Sequence, residues 1–491
     1  MKNKSILLLT LFTLMISGCN LSVIDKDDDK KEDEPTDPSG GDITPTDKEP
    51  TTNKSFLEFF SYDSKIEIEL DFTNEAIVKL AEYAEGDGND NFDKNEMYHP
   101  CTATITVNGK STILEETGVR MKGNTSRDTH FVDSTGHFDT NHLCHFKLNF
   151  AQLFDDESFY YVHDWTNDDE GRTNRDDRKY ADMKKLDLKW NRNLDQSFTK
   201  EAYVLDAFRN EGVLAQHCNL VQLTVKSDVD SYTEIYLALE SIDKRLLKAA
   251  DKNDTKGDLY KCTYTDKGKA DLTGFNVGDI GIEGQNYRPK YNLKTNEDKS
   301  DFSILKNFIN EVKKTQKNNG LDGEAYFDNI SKYMDVDNFL IFGALSWVFG
   351  LPDDYRNNYN NYYIYFNKYN KAVFMPFDND RCLGIKNGWD KEMKNSKWND
   401  TQAIGSGEFN RNPLVLRFLS GGSNNSHPVH KTSQDTYHQL CIEFANKYLD
   451  VNKFNEFTDK FYYSPNKDIS SGGVDNDSFA TYASAKKSTL N

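Results

Sequence analysis

Residues 347–384 read WVFGLPDDYRNNYNNYYIYFNKYNKAVFMPFDNDRCLG, and the rest of the chain is organised around them. An acidic turn, Asp353-Asp354, leads into the aromatic run Tyr362-Tyr363-Ile364-Tyr365-Phe366. A polar turn over 367–371 follows, then an apolar run over 372–377 that ends on Asp378-Asn379-Asp380, with Gly384 shortly after. β-prone residues bounded by Asn and Lys turn chemistry predict a hairpin with acids at both ends. Phosphoryl transfer needs such an arrangement: one Asp orients an acceptor hydroxyl, while an Asn and a second Asp hold Mg²⁺ against nucleotide phosphates. The plainer reading, an acidic hairpin on a solvated face, stays open from these residues alone.

With 491 residues the chain can bury a large core in one big domain or two ordinary ones. Lys and Arg total 60 against 80 Asp and Glu, a net charge of −20. That balance argues against nucleic acid as a main partner, since phosphate backbones demand basic surface. It leaves room for a nucleotide, which needs only a local basic pocket. The 26 Tyr and 31 Phe are those of a folded, strand-containing protein.

Lys2 and Lys4 precede an apolar stretch, Ile6 to Ile16, too short to span a bilayer as a mature helix. It ends in Ser17-Gly18-Cys19, which resembles a bacterial lipobox with Cys19 as the lipidated residue. The expectation is a leader over 1–19 and an exported lipoprotein held at the cell surface by lipid alone. Residues 20–53 hold eleven acids, four Lys and four Pro with few apolar residues, so they are expected to be a disordered tether. Its reach is roughly 30 Å as a coil and about 100 Å extended. The other six cysteines are scattered and define no disulfide framework. His142, Cys144 and His145 do not suit a zinc site, because alternating strand side chains cannot all face one ion.

The body starts near Ser55. Residues 64–72 (SKIEIELDF) alternate as a half-buried strand, Thr73 caps a helix, and Asn108-Gly109 joins two strands over 101–107 and 112–121. The second strand runs into Arg120-Met121-Lys122-Gly123-Asn124-Thr125-Ser126-Arg127, which can wrap positive charge and backbone N–H groups around phosphates, or be a hairpin turn with a basic rim. A strand over 144–150 carries Lys147 toward the same place. Residues 154–183 read as a charged, irregular insertion. Further strands are expected over 184–188, 220–225 and 234–239, with helices over 199–210 and 244–250. Glu201, early in the first helix, is open to pairing with a strand lysine or to plain solvation. From Phe302 onward helices dominate, notably over 302–312, 336–348, 437–449 and 454–463.

The order GVRMKGNTSR (118–127), HFKLNF (145–150), IYLALESID (235–243), DLYK (258–261), YNLK (291–294), NNYYIY (360–365) and FMPFDNDRCLG (374–384) resembles the spore-coat-protein-H (CotH) family over about residues 60 to 470. The resemblance implies an α+β, bilobal, atypical protein-kinase-like fold over 54–485. A strand-rich lobe would cover about 54–240 and a mainly helical lobe 241–485, with the acidic hairpin at the cleft. It further implies an enzyme using ATP and Mg²⁺ (or Mn²⁺) to phosphorylate Ser or Thr of exported proteins; a monomer is expected, and the acidic balance argues against a nucleic-acid partner.

Carried over by position, Asp354 or its neighbour Asp353 matches the catalytic acid, and Asn361, Asp378 and Asp380 match the metal-holding residues. Arg120, Lys122, Gly123 and Asn124 match the phosphate-covering loop, and Lys147 the phosphate-pairing lysine. Glu240 falls at the join between lobes, and Tyr260 is the candidate stack for adenine. The chain departs from the family pattern at Lys122 (for Arg), Phe377 (for Trp) and Ala372 (for an aromatic), the last weakening one side of the adenine stack. An idle member serving as surface adhesin or binding scaffold is the alternative, since fold does not dictate function. A solute- or glycan-binding lipoprotein is a third.

Overall fold

Period-two alternation closes the first half of the chain into a barrel. Strands β1 (Ile66–Asp71), β2 (His99–Val107), β3 (Lys110–Lys122), β4 (His145–Asn149), β5 (Lys185–Trp190), β6 (Cys218–Lys226) and β7 (Ser231–Glu240) are ordered β1-β2-β3-β4-β5-β7-β6, and parallel pairing of β6 with β1 closes the ring. One residue in two points inward: Ile66, Ile68, Ala103, Ile105, Val119, Met121, Phe146, Leu148, Leu186, Leu188, Val221, Leu223 and Tyr236 form one buried cluster. Asn108 and Gly109 join β2 to β3 with φ of +50° and +81°, the positive values a two-residue hairpin demands. Helix α1 (Lys54–Phe59) and helix α2 (Asn74–Glu82) flank the barrel, the latter capped by Thr73 Oγ1 accepting from Ala76 N at 3.2 Å.

The computed structural model describes residues 53–84, 96–123, 126–154, 174–284, 287–314, 322–385, 393–399, 413–419, 429–463 and 477–490. All belong to the unit Asp47–Asn491. The expected leader, Cys19, nearly all of the tether, Asn124 and most of the 154–183 insertion lie outside the described residues.

Helix α3 (Lys200–Asn210) lies between the barrel and a second, larger core, burying Ala202, Val204, Leu205 and Phe208. The chain leaves the barrel at Glu240, forms α4 (Lys244–Ala250) and enters a second sheet at β8 (Leu259–Cys262). That sheet runs β12-β11-β8-β10-β9, where β9 is Ile280–Gly281, β10 Tyr291–Leu293, β11 Tyr362–Phe366 and β12 Ala372–Pro376. The expected hairpin is the antiparallel β11–β12 pair, with Tyr362 opposite Pro376 and Phe366 opposite Ala372.

Behind the sheet stands α5 (Val336–Phe349), capped by Asp335 and ended by left-handed Gly350. It is apolar around most of its circumference rather than along one stripe, which is how a central buried helix reads. It packs against the long helix Lys431–Tyr448. The expected last helix stops at Thr458, short of 463. The short helices Gly323–Ile330 and Phe479–Ser488 were not anticipated, their few turns being too brief for periodicity to mark.

Candidate active site

The alternation that fills the barrel also charges its outside. On β3 to β5 the outward residues are Arg120 and Lys122, His145 and Lys147, Asp187 and Lys189. Register puts Arg120, Lys147 and Asp187 in one row and Lys122 opposite His145 in the next. Asp187 is buried between two lysines, accepting from Lys122 Nζ at 2.8 Å and Lys147 Nζ at 2.9 Å. Burial opposes its ionisation, but the two ammonium groups prevail and hold its carboxyl well below the usual range. This charged face is one wall of a cavity of about 1500 Å³. Among the described lining residues sixteen are Lys or Arg and ten Asp or Glu, a basic surplus on a chain of net charge −20.

Lys189 joins three elements. Its Nζ donates to both oxygens of Glu201 on α3 at 2.9 Å and to Asp378 Oδ1 at 2.8 Å, with Asp380 Oδ2 at 3.6 Å. Glu201 Oε1 also accepts from the Asn379 backbone N–H at 3.0 Å, so helix, strand and acidic turn are fastened at one point. Burial raises the Glu201 carboxyl to about 7, Lys189 pulling it down and Asp380 and Asp378 pushing it up. Burial works against the Lys189 charge, yet Asp378, Asp380 and Glu201 together keep it firmly protonated. Asp378 is open to the cavity and stays ionised, because Lys189 and then Lys122 outweigh its desolvation. Its backbone is left-handed, φ +58°, as is that of Asn361 at +49°. Such conformations in non-glycine residues cluster where surrounding structure imposes them for function.

Asp353 and Asp354 face opposite ways. Asp353 lines the cavity, paired with Arg381 and accepting from the side-chain amides of Asn358, Asn360 and Asn361, the last two at 3.1 Å. Asp354 is buried and caps the short helix α6 (Tyr355–Asn358), its Oδ1 accepting from Asn357 N at 2.9 Å. Burial raises its carboxyl to about 6, against the pull of Ser346 and Asn357.

The structure therefore gathers Arg120, Lys122, Gly123, Lys147, Asp353, Asn361, Asp378 and Asp380 around one cavity. Three expected residues lie elsewhere. Asp354 is turned into the core because the helix start needs a cap. Tyr260 is fully buried on β8, its hydroxyl donating to Asp258 Oδ2 at 3.0 Å and its ring edge-on to Phe366. Glu240 is buried at the end of β7, paired with His217 and Arg245. Apolar surface in the cavity comes from Ile242, Tyr363 and Phe377 instead, with Lys261 Nζ 4.7 Å above the Phe377 ring. Lys189 and Asp187 were passed over, although KLDLKW places both on the polar face of a strand by alternation.

Gly123 turns the chain from β3 toward 126 with φ +96°, and a Cβ there would meet Ser126 Oγ at 1.9 Å. Ser126 Oγ donates to Lys122 O at 2.9 Å and Arg127 Nε to Gly123 O at 2.8 Å, tying 126 and 127 back to the end of β3 at the cavity rim.

A strand lysine paired with a helix glutamate, beside an acidic turn, is an arrangement that protein kinases share. Residues 145–461 match the family model "CotH kinase protein", and the chain belongs to that family. No curated protein matches it. Among solved structures it is similar, at a TM-score of 0.25 and 10% identity, to a chain of the Shewanella oneidensis MR-1 toxin–antitoxin complex of HipA, HipB and operator DNA. The similarity covers 62% of this chain and 56% of that one.

Proposed function

We propose that the protein is an ATP- and divalent-metal-dependent protein kinase of bilobal architecture, tethered at the bacterial surface by lipid on Cys19, that phosphorylates Ser or Thr of exported proteins. The observation that carries the reading is the meeting of Lys189 and Glu201 with Asp378, which itself lines the basic cavity. Protein kinases use a strand lysine, oriented by a helix glutamate, on the nucleotide phosphates beside a metal-binding Asp.

Asp378, Asp380 and Asn361 offer only oxygen donors from carboxylates and an amide, the set that suits a hard cation such as Mg²⁺ or Mn²⁺. When bound, the ion would neutralise charge on the phosphate oxygens. The remaining work falls to side chains. Lys189, held between Glu201 and Asp378, fixes the carboxylate of Asp378 where it meets the cavity. Lys122 and Lys147 add positive charge from the same face, and the Gly123 turn lets backbone approach closely. Ile242, Tyr363 and Phe377 form the apolar surface for the base, in place of Tyr260. Asp353, steadied by Arg381 and the asparagine amides, faces the cavity where an acceptor hydroxyl would enter. It takes the orienting role rather than Asp354, whose carboxyl is buried as a helix cap.

The test is transfer of labelled phosphate from ATP to casein-like substrate or to the protein itself, with Mg²⁺ or Mn²⁺. Wild type is expected to transfer phosphate and to gain thermal stability with nucleotide and metal, as a ligand of the native state must confer. Asp378→Ala is expected to lose about 10³-fold in rate. Unaltered partner binding by that variant, together with no nucleotide-induced shift in wild type, would favour the adhesin reading instead.

A further inference from the structure

A second cluster lies outside the cleft, on the segment that leads from the Gly123 turn to β4. There Asp128 stands between two imidazoles, its Oδ1 3.1 Å from His130 Nδ1 and its Oδ2 2.8 Å from His142 Nδ1. The two rings are 5.6 Å apart between centroids. One donor atom from each of the three residues falls within 4.8 Å of the others. A second carboxylate, Asp139, has Oδ2 3.9 Å from His142 Nε2, on the side of that ring away from Asp128. Asp128 is itself fixed, because Oδ1 accepts from the His130 backbone N–H at 3.0 Å as the cap of a turn.

We propose that Asp128, His130 and His142 form a binding site for a divalent transition-metal ion of the zinc class.

The donor chemistry selects the ion. Two imidazoles and a carboxylate suit Zn²⁺ and its first-row neighbours, whereas Mg²⁺ and Ca²⁺ prefer oxygen alone. Ligands at roughly 2.0–2.2 Å from such an ion need only small side-chain rotations from the observed spacing. Three protein ligands with a further position open is the pattern of an accessible site rather than a closed structural one. His142 belongs to this set without Cys144 and His145: Cys144 is buried in the barrel core, and His145 Nδ1 accepts from the Trp190 backbone N–H. An ion here would tie 128 and 130 to 142, fastening the segment that starts at cavity-lining Ser126 and Arg127. The site stands independently of the kinase reading, because none of its three ligands faces the cleft.

The experiment is a calorimetric titration of chelator-stripped protein with Zn²⁺ in excess Mg²⁺, on wild type, His130→Ala, His130→Ala/His142→Ala and His137→Ala. The His130 side chain is 80% exposed, so its loss leaves the fold intact. The six described cysteines are all buried and do not compete for the ion. Wild type and His137→Ala are expected to bind one more equivalent than the double variant, and His130→Ala to bind that equivalent at least ~100-fold more weakly, beyond what outer-shell losses cost. Cobalt substitution is expected to show a visible spectrum without thiolate charge transfer, and zinc to slow hydrogen exchange over 128–142. Equal zinc stoichiometry in wild type and the double variant, or no zinc bound by wild type, overturns the proposal.

Discussion

One wall of the cleft is three regular strands, and the other is two irregular turns. On the barrel side Arg120, Lys147 and Asp187 share one row of the strand register, with Lys122 two residues beyond Arg120 on β3 and Lys189, two beyond Asp187 on β5, buried behind the wall. On the opposite side Asp353, Asn361, Asp378 and Asp380 are set by turns containing left-handed Tyr359, Asn361, Asp378 and Leu383. The strand wall is mostly cationic and set by a hydrogen-bonded ladder, while the turn wall is anionic and held by side-chain amides, Arg381 and Lys189. A nucleotide–metal complex needs this polarity: cations for the phosphates on one side, carboxylates for the metal on the other.

The strongest way to break that contrast is at the point where the walls touch. Lys189→Met leaves Glu201 buried without its cation and is expected to cost about 3–5 kcal/mol. Lys189→Met/Glu201→Leu replaces the pair by apolar groups and is expected to recover most of that stability in denaturant titrations, because the burial cost of both charges disappears. Phosphate transfer is expected to stay absent in both. A double variant that regains activity with stability would mean the pair only holds the walls together.

A second comparison lies within the turn wall. Asp354 has its carboxyl raised to about 6 by burial, so its favourable contribution is complete below the ordinary Asp range and is lost as pH rises through about 6. Asp354→Asn keeps the cap without the charge. It is expected to be more stable than wild type at pH 8, by about 3 kcal/mol at most, with the difference closing below pH 4. Thermal unfolding at several pH values reads this directly. A smaller effect is expected at the rim of the strand wall. Gly123→Ala forces a side chain into φ +96° against Ser126 and is expected to cost about 1–3 kcal/mol while raising KM for ATP more than it lowers kcat.

The two walls also differ in how far the sequence reveals them. Strand alternation marks SKIEIELDF and the runs around Asn108-Gly109, and the structure forms a barrel from them. The β11–β12 hairpin is legible for the same reason. KLDLKW carried the signal for Asp187 and Lys189, but only if its polar face is read as a site rather than as solvent. Glu201 could be read either way, because helix position alone does not say whether an acid meets a lysine 12 residues earlier. Closure of the barrel through parallel β1 and β6 was not legible, since non-local pairing leaves no local trace. Asp353 and Asp354 are adjacent and chemically identical. Only the turn's dihedrals and the need to cap Tyr355–Asn358 decide which one faces the cavity. Tyr260 does not reach the site because alternation on β8 turns Lys261 to the cavity and Tyr260 into the core on the other face.

The most direct test of the central claim compares Asp353→Asn with Asp354→Asn in a phosphate-transfer assay with ATP and Mg²⁺. The account expects Asp353→Asn to lose about 10²–10³-fold in kcat with little change in unfolding temperature, while Asp354→Asn keeps most of its rate. Loss of transfer in Asp354→Asn with retention in Asp353→Asn would contradict it.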